Sequence, residues 1–230
     1  MAHILSVDWD FFFRGAAYFR YGCNNCSWRD CAQNPSGHGG RPIVAPRRQN
    51  RHRDHDVEPI LPAGQDPATW LLRNVPVAPP TKGFRLFAAE CHAELYGLLG
   101  RDDTIVHLDA HQDQEPTGTP RICCGSWGYK AKARLDCKIQ WHGHADLHRG
   151  QLATRPPTQD YCLVFTCWSR PWTPAAHDVD WFRFIKGLAI RLKCDPQFIG
   201  PEAPEMTQRY RRARKPGKMI VKEITACQNT

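Results

Sequence analysis

The 230-residue chain has no apolar run approaching the roughly 18–20 residues of a membrane-spanning helix, which argues against an integral helical membrane protein. Its first residues, MAHILSVDWDFFF, lack the basic stretch that opens a secretory signal, and Asp8 and Asp10 interrupt the apolar run. A cytoplasmic location is expected, and with it few structural disulfides. The 17 glycines and 19 prolines together fall well short of the roughly 25–30% typical of low-complexity chains. Wholesale disorder and collagen-like structure are thereby excluded. No internal repeat is present beyond a similarity between two acidic motifs. No aromatic RNA-binding signature and no complete zinc finger is present either, so nucleic acid is not the expected partner.

Hydrophobic residues make up 41% of the chain, enough for one real core. Lys and Arg number 31 against 23 Asp and Glu, a net charge of +8. Much of the excess lies in two places: Arg47, Arg48, Arg51 and Arg53, and the stretch RYRRARKPGK from Arg209 to Lys218. Such runs could meet phosphates or steer an acidic peptide, but a solvated tail accounts for them equally well. Of the 11 cysteines, Cys91, Cys137, Cys162, Cys167 and Cys194 stand alone in apolar or mixed segments, as small buried hydrophobes do. Cys23, Cys26 and Cys31 form a cluster that His38, His52 or His55 could complete as a zinc site, although free thiols in a loop are the simpler reading.

Strands are expected over 3–9, 104–108, 137–141 and 161–167. Helices are expected over 68–74, from Phe87 to Leu99 (through Phe87, Cys91, Leu95 and Leu98) and from His177 to Lys193 (through Val179, Phe182, Ile185 and Ala189). Short buried strands alternating with helical patterns indicate an α/β fold with a mainly parallel sheet. One domain is expected over 1–204, with an irregular insertion at about 22–67, followed by a basic tail over 205–230.

The strongest chemical signal is Leu108-Asp109-Ala110-His111-Gln112-Asp113, directly after an apolar strand. In extended backbone Asp109, His111 and Asp113 share one face, so two carboxylates and an imidazole converge. A cation would compensate that charge, and sites in parallel sheets gather at the carboxyl ends of strands. A solvated turn holding two aspartates is the plainer alternative. Ser6-Val7-Asp8-Trp9-Asp10 repeats the pattern with Asp8 and Asp10. Carboxylate and imidazole donors without thiolate favour Mn²⁺ or Mg²⁺. Glu90-Cys91-His92-Ala93-Glu94 supplies a further histidine, which by itself reads more readily as a surface or capping residue than as a ligand.

Together VHLDAHQD, SVDWD and ECHAE resemble the ureohydrolase (arginase/agmatinase) superfamily, whose DAHxD and SxDxD motifs and loop histidine hold two manganese ions. The SxDxD-like element comes first instead of last, as in the permuted, small arginase-like group that includes peptide arginases. The resemblance covers roughly residues 3–13 and 85–175. It implies a three-layer arginase/deacetylase-like fold and two Mn²⁺ ions. Asp8 and Asp109 would bridge them, His92 and Asp113 completing one position and His111 and Asp10 the other. It also implies a function: hydrolysis of arginine side chains in a ribosomal precursor peptide to ornithine and urea, the metals lowering the pKa of a water toward neutrality.

The late segment YCLVFTCWSRPWTP offers Ser169, Arg170 and Trp172 but no carboxylate to hold a guanidinium. Glu58, Glu90, Glu94 and Glu115 are possible substitutes, Glu94 among them being counted with the catalytic residues; His142, His144 and His148 are candidates by type for moving the leaving-group proton. Two other readings stay open. One is a related metallohydrolase acting on a small amidine or amide. The other is a non-enzymatic protein with a decayed metal site whose basic segments engage nucleic acid or acidic partners.

Overall fold

Six short strands pair side by side, every neighbour parallel: β1 (His3–Asp8), β4 (Arg85–Ala89), β5 (Thr104–Leu108), β6 (Lys138–His142), β7 (Leu163–Cys167) and β8 (Pro196–Phe198). Their order across the sheet is β6-β5-β1-β7-β4-β8. The computed structural model describes residues 1–14, 58–61, 63–75, 77, 83–114, 122, 124–143, 160–169, 173 and 177–214. A two-stranded antiparallel ribbon, β2 (Phe13–Arg14) with β3 (Glu58–Pro59), stands apart from the main sheet. The expected insertion, with Cys23, Cys26, Cys31, His38, His52 and His55, lies outside the described residues over 15–57. Residues 58–61 rejoin the fold, and Leu61 enters the core.

Interior strands of a parallel sheet are covered on both faces and so read as continuous apolar runs. Here alternate residues feed two cores. Leu5, Val7, Leu86, Ala88, Val106, Leu108 and Val164 face one core, which also takes Trp9, Phe11, Phe12 and Phe13 of the 3-10 turn (Trp9–Phe12) and its exit. Three helices cover that face: α1 (Pro67–Asn74), α4 (Asp178–Arg191) and α5 (Ala203–Arg214), with α4 packed against both others. On the other face Ile4, Phe87, Ala89, Ile105, Leu163, Phe165 and Cys167 pack under α2 (Ala93–Tyr96) and α3 (Trp127–Leu135). Helix α1 starts where Asp66 accepts from the backbone N–H of Ala68 and Thr69, with Pro67 in the first turn. Pro196 opens edge strand β8, where a missing N–H is tolerated.

The α/β class and the parallel sheet stand, as do the strands near 3–9, 104–108, 137–141 and 161–167. The helix expected from Phe87 to Leu99 is instead strand β4, between β7 and β8, followed by the single-turn α2. Leu86 and Ala88 enter one core while Phe87 and Ala89 enter the other, a two-residue alternation that a short apolar run does not distinguish from helical spacing. Helix α4 buries Trp181, Phe182, Phe184, Ile185 and Leu188, whereas Val179, expected on that face, is 53% exposed. The larger aromatic surfaces set the rotation of the helix. Residues 205–214, assigned to a basic tail, lie in α5, whose Met206 and Tyr210 are buried. Its Arg209 guanidinium covers the Trp168 ring and pairs with Glu205 at 2.6 Å, so the basic charge there is one side of a packed helix. Residues 215–230 are outside the described set. Among the described residues Cys91, Cys124, Cys137, Cys162, Cys167 and Cys194 are free thiols, Cys137 and Cys167 buried.

Candidate metal centre

All six strands of the main sheet run the same way, so the segments after β1, β4, β5 and β7 leave it at one edge. Asp8 ends β1, and its Oδ1 accepts from the backbone N–H of Asp10 at 3.1 Å, turning the chain into the 3-10 turn. Asp10 therefore lies in that turn and not along an extended strand. The same correction applies after β5. The strand stops at Leu108, and Asp109 Oδ1 accepts from the backbone N–H of His111 at 2.7 Å. Asp113 has a left-handed backbone, φ 54°. The motif converges through a tight turn, not through strand alternation.

Six side chains nonetheless meet. His92 Nδ1 stands 2.8 Å from Asp8 Oδ2, 3.5 Å from Asp109 Oδ2 and 3.6 Å from Asp113 Oδ2. His111 Nδ1 stands 3.0 Å from Asp10 Oδ2 and 3.5 Å from Asp109 Oδ1. Asp109 thus presents one oxygen to each imidazole. Around them Ser6 Oγ bonds His92 Nε2 at 2.7 Å, Trp127 Nε1 donates to Asp113 Oδ2 at 2.9 Å, and Ser169 Oγ donates to Asp8 Oδ2 at 2.5 Å. The His92 ring lies parallel to Trp127 and against Phe165. The four aspartates and His92 are buried; His111, with 30% of its side chain exposed, is the open side.

So many buried carboxylates work against one another. Burial, and then the charges of Asp10 and Asp109, push the Asp8 carboxyl up to about 7. Burial and then Asp109 raise Asp10 to about 6, against the pull of His111. Burial, then Asp109 and Asp8, put Asp113 well above the usual carboxylate range. Burial acts upward on Asp109 too, but contacts with His107 and His111 outweigh it and hold that carboxyl well below its usual range. Burial acts downward on His111, yet Asp10 and Asp109 lift it to about 12. Cations set among these oxygens and nitrogens would relieve the mutual repulsion. Among the described residues three groups have donor atoms all within 4.8 Å of one another: Asp10 with Asp109 and His111, His92 with His107 and Asp109, and Asp8 with His92 and Cys167. Carboxylate and imidazole donors in this number fit divalent cations.

His107, Cys167 and Trp127 were not foreseen at the site, nor were Ser6 and Ser169 given a role there, although both stand in segments expected to line it. Residue parity could have found two of them. Ser6 precedes Asp8 by two, His107 precedes Asp109 by two, and the register pairs them as neighbours on β1 and β5. Of the other expected residues, His142 is buried at the end of β6, in register with Leu108, and its carbonyl accepts from the Asp109 N–H at 3.2 Å. Glu90 is buried just after β4, and its carbonyl accepts from the Ser169 N–H and the Cys167 thiol. The structure sets the Glu94 carboxyl against Gly200, beyond edge strand β8. His144, His148, Glu115, Arg170 and Trp172 lie outside the described residues, and so does the Glu58 side chain.

Among the described residues no helix is long and apolar enough to cross a membrane. Comparison of the chain with protein-family models, curated proteins and solved structures finds no match.

Proposed function

We propose that the chain is a ureohydrolase-type metallohydrolase with a three-layer, arginase-like fold. It would act on arginine side chains of a ribosomal precursor peptide in the cytoplasm, releasing urea and leaving ornithine. The observation that carries this reading is the division of Asp109 between two imidazoles, with Oδ2 3.5 Å from His92 Nδ1 and Oδ1 3.5 Å from His111 Nδ1. That is the placement a bridging carboxylate needs. Asp8 and Asp113 lie with His92 on one side, Asp10 with His111 on the other. When bound, two Mn²⁺ ions would polarise the guanidinium and make water nucleophilic at neutral pH.

The protein's own groups hold this arrangement rigid. Ser6 fixes the His92 ring through Nε2 and leaves Nδ1 toward the carboxylates. Trp127 and Ser169 each occupy one carboxylate lone pair, on Asp113 and Asp8, and so orient the remaining oxygens. Trp127 and Phe165 keep water from the inner face of His92. The guanidinium would enter from the His111 side, the exposed one.

The test is incubation of Mn²⁺-loaded protein with an arginine-containing precursor peptide. Urea release and loss of CN₂H₂ from each converted residue are expected. Faster turnover of free arginine or agmatine than of any peptide would move the substrate to a small amidine. Steeply salt-dependent nucleic-acid binding without hydrolysis would replace the enzyme by a binding protein.

A further inference from the structure

His107 sits in the middle of the sheet, where the arrangement above uses it only as a neighbour of Asp109. It lies on β5 two residues before Asp109, pairs in register with Ser6 of β1 and Trp141 of β6, and is 0% exposed. Its ring meets His92 edge-on at 4.8 Å and Trp127 edge-on at 5.1 Å. Neither ring nitrogen has a hydrogen-bond partner among the described residues. Nε2 lies 3.1 Å from Asp109 Oδ2 without a hydrogen bond to it, and that oxygen is likewise without one. A buried imidazole in this condition costs free energy that a leucine or valine in the same strand position would not. An imidazole nitrogen and a carboxylate oxygen 3.1 Å apart, neither of them in a hydrogen bond, are spaced as two donor atoms on one cation are.

We propose that His107 is a metal ligand that, with His92 and Asp109, forms an inner cation position unlike the outer one at Asp10, Asp109 and His111. The proposal rests on the dinuclear reading of the site and refines it. Ligand atoms of His92, His107 and Asp109 all lie within 4.8 Å of one another, and the three residues are buried. With Asp8 and Asp113 beside His92, the inner position then has two imidazoles among its donors where the outer, at Asp10 and Asp109, has one. Nitrogen-rich sets bind Zn²⁺, Co²⁺ or Fe²⁺ in preference to Mn²⁺, whereas carboxylate-rich sets accept Mn²⁺ or Mg²⁺. The inner position takes a zinc-like borderline cation and the outer a harder one. Cys167 is the rival donor, through its group with Asp8 and His92. Its thiol already donates to the Glu90 carbonyl at 3.3 Å and contacts Ser169 Oγ at 3.4 Å, while the nitrogens of His107 bond nothing.

The experiment loads metal-free, full-length protein with an equimolar mixture of Zn²⁺ and Mn²⁺ and measures bound metal by elemental analysis. X-ray absorption at the zinc edge then counts imidazoles on the wild-type protein itself. One zinc and one manganese per chain are expected, with two imidazoles on the zinc. His107→Leu, checked for folding by circular dichroism, should bind the inner cation roughly tenfold or more weakly and keep the outer one. His107→Gln serves if the leucine variant does not fold. A single imidazole on the zinc, or unchanged zinc affinity in a folded His107 variant, overturns the assignment. Loss of the zinc from Cys167→Ser with no loss from the His107 variant does the same and gives the position to the thiol. A wild-type protein that binds neither metal removes the dinuclear reading itself, whereas one that binds two ions without using His107 leaves that reading intact.

Discussion

Ser6 Oγ lies 2.7 Å from Nε2 of His92, and both residues are buried at the carboxyl edge of the sheet. The bond joins the first strand of the chain to the loop after β4, 86 positions later in the sequence. It decides which imidazole nitrogen faces the carboxylates. With Nε2 held by the hydroxyl, Nδ1 is the atom that stands among Asp8, Asp109 and Asp113.

Ser6→Ala should therefore weaken metal binding without unfolding the protein. Removing a partner that orients a ligating histidine typically costs about 10–100-fold in metal affinity or activity. Titration of the metal-free variant with Mn²⁺, read beside wild type, measures the loss. Equal affinities would show that His92 keeps its orientation through Trp127 and Phe165 alone.

Gly128, in the first turn of α3, bears on Asp113 in the same way. A Cβ there would stand 2.9 Å from the Asp113 carbonyl oxygen, which already accepts from the Gly128 N–H at 2.9 Å. Alanine is better than glycine inside a helix by about 1 kcal/mol. Overpacking against a backbone atom costs about 1–3 kcal/mol, so the clash wins. Gly128→Ala should lower the thermal midpoint and weaken metal binding together, because the atom that must move belongs to a residue of the centre. Differential scanning calorimetry with and without Mn²⁺ separates the two effects.

The pH dependence of the metal-free protein follows from the raised carboxyls. Folding lifts Asp8 from 3.8 to about 7 and Asp10 to about 6, so the folded state binds the extra protons. Stability from these groups is full below pH 3.8 and is lost as pH rises to about 7. His111, lifted from 6.5 to about 12, is lost in the same direction at higher pH. Asp109 acts oppositely, but below its ordinary value of 3.8. The metal-free thermal midpoint should fall between pH 5 and pH 8, and Mn²⁺ should reverse the trend, since the same protons compete with it. Midpoints measured across that range, with and without metal, check both signs.

How far the sequence foretold the molecule depended on whether a residue's neighbours in space were also its neighbours in the chain. The strands near β1, β5 and β7 were legible because interior parallel strands, buried on both faces, are short, dense and apolar. Strand β4 was not, since RLFAA fits helix and strand equally and only pairing with β7 and β8 decides. The six aspartate and histidine positions could be named from residue type and spacing, although extended backbone was the wrong reason for their convergence. His107 and Ser6 were within reach of strand parity. Cys167, Ser169 and Trp127 were not, because each comes to the centre from a segment whose approach is set by the sheet order.

The account stands most directly on Asp109, the residue placed between the two histidines. Bound metal per chain, measured by elemental analysis after loading and gel filtration, should be two equivalents in wild type and one or fewer in Asp109→Ala. The metal-free variant loses the contacts with His107 and His111 that hold the Asp109 carboxylate ionised and should melt below wild type, so its fold is checked by circular dichroism before metal is counted. Less than one equivalent in wild type, unchanged by Asp109→Ala, would contradict the dinuclear centre.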